Sequence, residues 1–280
     1  MTVCVVGALH LDVVLDAPHL PKVDETVTGS AVRYAFGGKG GNQAVAAARL
    51  GTPVNFIGRA GSDGFGKILR QELERWEIDI SQLQTDKGPS GMSAAIVDAS
   101  GEYGAVIVSA ANQKIDPRQF ALPPSTSVLL LQNEVPEPVN IAAAHQARDL
   151  GAAIWLNAAP ARPVSPKLTE LIDLLIVNRV EAEFYRDLPM RMVLETRGAE
   201  GVHFADKTWA ARKVDVMSAH GAGDMFIGAL AADLMHGSSV HDAIPFAQAA
   251  AAWHISTPPD SRAGMRPEML RAHLTAQLNP

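Results

Sequence analysis

The sequence is nearly without cysteine. Cys4 is the single one in 280 residues, so no intrachain disulfide can form and a reducing, cytoplasmic setting is expected. It lies in the apolar run "VCVV" and reads as a small core residue, not a reactive thiol. An excess of basic charge is also lacking. The formal net charge is -6, which argues against a nucleic-acid partner. No block of like charges suggests a tail. Long hydrophobic runs are missing too: "AIPFAQAAAAWHI" is too short and too polar to span a membrane, so no membrane partner is expected. The N-terminal "MTVCVVGALHLD" has no basic region ahead of a long apolar stretch, so no signal peptide is read there. No repeat, low-complexity tract or interdomain linker divides the chain, and residues 1–280 read as a single domain. What is present is 47% hydrophobic residues, enough for one large core or two modest ones.

Short β-rich runs alternate with helical patterns. Strands are expected over 3–6, 54–57, 128–131, 153–156, 174–177, 192–195 and 202–204. Between them, Phe65, Ile68, Leu69, Leu73 and Trp76 repeat at helical spacing, with Asp63 as the cap. Helices over 138–150 and 224–236 end at Gly151 and Gly237. This alternation predicts an α/β protein with a mostly parallel sheet between helices. Two stretches break the rhythm. Residues 12–36 hold extended segments without a helix, and 92–109 read as two strands around "DASGEYG". They predict a small β-sheet that stands off the main one as a lid.

Two glycine-rich stretches carry the chemistry. In "FGGKGGNQAVAAARLG", Gly40 follows Lys39 where a P-loop needs Ser or Thr. Counted from Gly38, Gln43 falls where a dinucleotide fingerprint needs its last glycine. Both of those readings fail on spacing. In "HGAGDMFIGAL", Gly221, Ala222 and Gly223 precede Asp224 and a strong helix pattern. Small residues at a helix start leave N–H groups open to an anion. Asp224 can cap that helix, but capping does not explain three small residues ahead of it. A transferring phosphoryl group needs such a cradle, and a nearby carboxylate can deprotonate the attacking hydroxyl.

With "GALHLD", "ETVTG", "NAAPAR", "NRVEAE" and "FAQAAAA" in this order, the whole chain resembles the ribokinase-like sugar kinases of the PfkB carbohydrate kinase family. The resemblance implies the three-layer ribokinase-like fold and ATP-dependent phosphorylation of a primary hydroxyl of a small sugar. It implies that the di-glycine loop grips the sugar, through Asp12, Gly38, Lys39, Asn42 and Glu134. It makes Asp224 the catalytic base and the 221–224 backbone (Gly221, Ala222, Gly223) the anion hole. The N-x-x-E motif maps onto Asn178, near the ATP phosphates, and Glu181, which acts on Mg2+ and its waters. The nucleotide loop T-x-G-x-x-G maps onto Thr196, Gly198 and Gly201, where an ordinary hairpin turn is the plainer reading. Lids in this family pair, so a homodimer through the lid is expected.

The chain departs from the family at four places. Ser218 and Ala219 replace an Asp and a Thr ahead of the catalytic Asp, with His220 next. That Asp helps to hold an activating monovalent cation in the family, so K+ activation is expected to be weak or absent here. His10 stands where an Asn touches ribose and should line the pocket. The stretch 184–189 is short, with room for a helix end and a turn. "STPPDSRAGMRP" differs from the usual C-terminal loop. A pentose, ribose first, is the expected substrate. A ketohexose or nucleoside kinase, or a catalytically impaired sugar-binding regulatory protein, stays open as an alternative.

Overall fold

The computed structural model describes residues 1–100 and 102–276. In chain order the elements are β1 (Thr2–Val6), β2 (His10–Asp16), β3 (Ala31–Gly37), α1 (Lys39–Arg49), β4 (Val54–Gly61), α2 (Gly64–Arg75) and β5 (Leu83–Asp86). Then follow β6 (Met92–Val97), β7 (Tyr103–Val108), β8 (Thr126–Gln132), α3 (Glu137–Asp149), β9 (Ala153–Asn157), α4 (Pro166–Thr169) and β10 (Leu174–Asn178). The last third holds α5 (Arg179–Phe184), β11 (Val193–Thr196), β12 (Val202–Phe204), β13 (Lys207–Trp209), α6 (Ala222–Leu234), α7 (Val240–Ser256) and α8 (Pro267–Ala276).

The large sheet has the order β13-β12-β11-β10-β9-β8-β1-β4-β5. Its strands from β11 to β5 are parallel, and β12 and β13 close one edge as antiparallel strands. The central strands are buried on both faces, and adjacent residues serve opposite layers, as a period of two requires. Val3 and Val5 of β1 pack with Val128 and Leu130 of β8 against α1, α2, α6 and α7. Cys4 and Val6 pack with Leu129 and Leu131 on the other face, against Val139, Ala143 and Ala147 of α3. Burial pushes the Cys4 thiol up, which keeps it inert.

Most expected elements are present, with ends shifted by a few residues. Asp63 caps α2 by accepting from the Gly66 N–H at 2.8 Å. Gly151 and Gly237 follow their helices at φ 71° and 92°. The 184–189 stretch is a helix end and a turn. The strand expected over 202–204 is β12, but no expectation covered β5, β13 or the 17-residue α7. No helix among the described residues is long and apolar enough to cross a membrane.

The lid is a separate sheet of order β3-β2-β6-β7. It sits where 12–36 and 92–109 predicted it; Gly101 of the expected turn lies outside the described residues. Register sorts its two faces. Val13 pairs Tyr34 and Ala94, and Ala94 pairs Val106, so one face is apolar. Asp12 pairs Ala35 and Ser93, so it belongs to the opposite face.

Two close approaches fix the helices under the lid. Gly38 sits at φ 88° just ahead of α1, where a side chain would strike the Ala8 carbonyl oxygen at 2.6 Å. Gly228 lies one turn after Asp224 on the same face of α6. A Cβ there would meet Ala46 Cβ at 2.5 Å and Gln43 O at 2.6 Å on α1. Gly228→Ala should therefore wedge α6 from α1, at about 1–3 kcal/mol. A thermal melt is expected to drop by several degrees, together with kcat. A melt unchanged within about a degree would show that the two helices yield freely.

Candidate active site

Gly221 takes a left-handed conformation, φ 76°, and turns the chain into α6. The helix starts at Ala222, two residues earlier than expected, so Ala222, Gly223 and Asp224 form its first turn. The Ala222 N–H reaches Ala219 O at 3.2 Å, while the first-turn N–H groups of Gly223 and Asp224 have no intrahelical acceptor. The capping reading of Asp224 is thereby corrected. Gly221 is the N-cap, and no side chain caps the helix. The Asp224 carboxylate turns instead toward α1. Gln43 Nε2 donates to Oδ1 at 3.0 Å and Asn42 Nδ2 donates to Oδ2 at 3.1 Å. Burial pushes this carboxyl up; the Lys39 ammonium, the two amides and His220 pull it down.

At the start of α1, the Lys39 N–H donates to Glu134 Oε2 at 2.7 Å. Glu134 thus serves the start of α1, whose N-cap glycine offers no side chain. Asp12 Oδ1 accepts from Ser93 Oγ at 2.5 Å, a bond between neighbouring lid strands. His10 is buried, and its Nε2 has no partner among the described residues. Burial lowers its pKa against the pull of Asp12. A ligand hydroxyl could satisfy that nitrogen.

A cleft of about 760 Å³ opens beside Asp224. Its walls include Asn178, Glu181, Thr196, Gly198, Gly201 and 221–224, and Lys39 reaches in from the start of α1. Asn178 and Glu181 form a capping box: Oδ1 accepts from the Glu181 N–H at 2.9 Å, and Glu181 Oε2 accepts from the Asn178 N–H at 2.8 Å. Glu181 is buried rather than an exposed helix glutamate, and its pKa is raised by that burial. Thr196 Oγ1 donates to Val177 O at 3.3 Å, and the Gly198–Glu200 turn joins β11 to β12. The hairpin and the cleft wall are therefore the same loop.

Sequence reasoning missed the residues behind Asp224. Gln43 is fully buried; its second Nε2 hydrogen goes to Asn157 Oδ1 at 3.1 Å, and its Oε1 accepts from Gln132 Nε2 at 2.9 Å. The signal was a lone amide in "NQAVAAA", a polar residue on a helix of small apolar ones. The apolar cleft wall from Ala211, Val214, Val216 and Ile255 was missed as well. It comes from a loop and from a helix without apolar periodicity, which leave no local pattern.

Over residues 1–262 the chain matches the model of the pfkB family of carbohydrate kinases. The chain belongs to this family. It is similar to a ribokinase of Haemophilus influenzae, 34% identical over 90% of this chain and 91% of that one. A ribokinase of Bacillus subtilis is 31% identical over 89% and 91%. Ribokinase of Thermotoga maritima superposes with a TM-score of 0.87 at 26% identity, over 98% of this chain and 99% of that one. Arabidopsis thaliana ribokinase, in complex with ribose and ATP, shares the fold at TM-score 0.90 and 24% identity, over 98% of each chain. The carbohydrate kinase thus has the three-layer ribokinase-like fold with a small second sheet.

Burial holds the Glu134 carboxyl at about 7, against the Lys39 amide and ammonium and with the help of Asp224 and Asp12. A carboxyl raised above its ordinary 4.5 stabilises the fold fully below pH 4.5 and loses that contribution as pH rises through 7. Glu134→Gln keeps an acceptor for Lys39 without the charge. Its Tm minus that of the wild type should grow from pH 5 to pH 8. A difference that stays flat across that window would mean that Glu134 titrates as an exposed glutamate.

Proposed function

We propose that this chain, acting as one kinase domain, transfers the γ-phosphoryl group of ATP to a primary hydroxyl of a pentose, with ribose first. One observation carries the reading: two amides of the sugar-loop helix α1 hold the Asp224 carboxylate on the first turn of α6. The sugar grip and the phosphate cradle are thereby joined at one carboxylate. The similarity to two curated ribokinases at 31–34% identity supports ribose over other acceptors.

In this reading the sugar hydroxyl oxygen attacks the γ-phosphorus, and its proton passes to Asp224. The bond from that phosphorus to the bridging oxygen breaks, and ADP leaves with the electron pair. Charge on the transferring group faces the first-turn N–H groups of α6. Asp12, Asn42 and Glu134 bind the sugar hydroxyls, with the His10 ring beside them. Lys39 lies between the two substrates. The residues present fit Mg2+: Glu181 offers one carboxylate at the cleft wall, its Oε2 engaged in the capping box, and a magnesium ion otherwise takes phosphate and water oxygens. When bound, Mg2+ would neutralise phosphate charge. Asn178, Thr196, Gly198 and Gly201 serve the nucleotide.

The chain pairs through its lid into a homodimer. The apolar lid face supports this: Tyr34, Val106 and Val108 are 60%, 67% and 49% exposed on the side away from Asp12. Sedimentation should give a dimer, and Val106→Asp a monomer. A monomeric wild type at micromolar concentration rules the pairing out.

An ADP-release assay over pentoses, ketohexoses and nucleosides tests the substrate, and ribose should give the highest kcat/KM. Asp224→Asn should lower kcat by roughly 10²–10⁴-fold while calorimetry still finds the sugar bound. Turnover within a few-fold of wild type would make Asp224 a packing residue. Asp12→Ala should raise the sugar KM far more than the ATP KM; equal effects would point to damage of the lid instead.

A further inference from the structure

Behind the phosphate cradle lies a buried arginine. Arg262, in the turn between α7 and α8, is 8% exposed. Among the described residues no carboxylate lies within ion-pair distance of it. Its guanidinium faces main-chain carbonyls: Nε donates to Thr257 O at 3.1 Å and Nη2 donates to Ser218 O at 3.3 Å. Nη1 lies 3.1 Å from His254 Nε2. That same nitrogen lies 2.9 Å from His220 O. One ring nitrogen cannot donate to the carbonyl and accept from the guanidinium at once, so the histidine's tautomer selects one contact. Burial and the nearby guanidinium groups of Arg262 and Arg49 hold the His254 pKa down to about 4, so this ring is neutral at pH 7.

These contacts bear on the cradle. A Cβ on Gly221 would stand 3.2 Å from His254 Nε2, so the ring backs the N-cap of α6. The Met217 and Ser218 N–H groups both reach Ile255 O, at 2.8 and 3.2 Å. The segment leading into α6 is thus tied to the end of α7, and Arg262 bridges the two by their carbonyls. Carbonyl oxygens from two converging segments are also what a dehydrated potassium ion takes as ligands. Here the carbonyls of Ser218 and Thr257 already accept from a side-chain cation, and Ser218 brings no carboxylate. The residues present do not fit an exchangeable monovalent ion.

We propose that Arg262 is the fixed cation of this phosphate cradle, a positioning residue that holds the segment 218–221 and replaces an exchangeable monovalent ion. The enzyme therefore works without K+. The inference rests on the kinase reading. Its chemistry follows from charge: a guanidinium cannot be washed out, stays protonated across the working pH range, and spans several acceptors in fixed geometry.

The test uses the full chain in potassium-free buffer with a large organic cation, titrated with KCl at constant ionic strength. Wild-type kcat and Tm should both stay flat. Activation of about tenfold or more, or a saturable rise in Tm, would show a real ion site and overturn the proposal. Arg262→Met should lower kcat by about tenfold or more with the sugar KM nearly unchanged, because the loss falls on the transition state. Millimolar guanidinium or potassium should restore part of that loss, and Arg262→Lys should keep more activity than Arg262→Met. A folded Arg262→Met enzyme with wild-type kcat, or a loss that neither small cations nor lysine relieves, overturns the proposal. If Arg262→Met does not fold, the wild-type titration and melt decide alone. Absence of ADP release under every condition would sink the kinase reading, and the melt would still report on the ion site.

Discussion

The side chain of Gln43 has two N–H hydrogens and one carbonyl oxygen, and all three are engaged inside the protein. One hydrogen goes to Asn157 at the end of β9, the other to Asp224 on α6, and the oxygen accepts from Gln132 at the end of β8. A buried amide left unmatched costs roughly 1–3 kcal/mol, so this arrangement resists rotation of any member. It ties the C-terminal ends of two central strands to the helix that carries the candidate base. In open α/β sheets those strand ends are where ligands bind. The Gly228 approach serves the same geometry: α6 can bring Asp224 within 3.0 Å of Gln43 because no side chain holds the helices apart.

Around that relay the electrostatics lean one way. Glu134, Glu181 and Asp224 are all pushed up by burial, and the Lys39 charge pulls each of them down. Lys39 is therefore the positive counterweight to three carboxyls in two half-sites. A group with a raised pKa is a better proton acceptor when ionised, which suits a base that must take a hydroxyl proton. Glu134 gains little from ionisation until something hydrogen-bonds to its free charge. A bound polyol supplies such donors, and the Lys39 amide already occupies one oxygen.

The layers, the separate lid and the order of motifs were legible because they follow local rules. The unbroken apolar run "VCVV" marks a strand covered on both faces, and Asp63 and Gly151 punctuate helices by their own chemistry. The relay was not legible. Gln43, Gln132 and Asn157 lie on three separate elements, and only the folded chain brings their amides together. Helix α7 escaped for a different reason. It is nearly uniform in small and apolar residues, since it packs on several sides, so its sequence carries no amphipathic period. The place of Asp224 at a helix start was legible but its geometry was not: an acidic residue there looks like a cap, yet its carboxylate points across to another helix.

The departures at 218–220 and in "STPPDSRAGMRP" look unrelated along the chain, some forty residues apart. In the folded molecule they meet. Arg262 donates to the carbonyl of Ser218, and His254 meets that of His220, so the two unusual segments close on each other behind Gly221. Desolvation lowers the Arg262 pKa, yet a guanidinium starts so high that its charge survives burial. A lysine in the same place would risk losing its proton, and a neutral side chain would take the Arg262 donors away from the Ser218 and Thr257 carbonyls. Ser218 brings no carboxylate, so the Arg262 charge is met there by the main-chain oxygens of Ser218 and Thr257, and their dipoles are what keep a charged side chain tolerable at this depth.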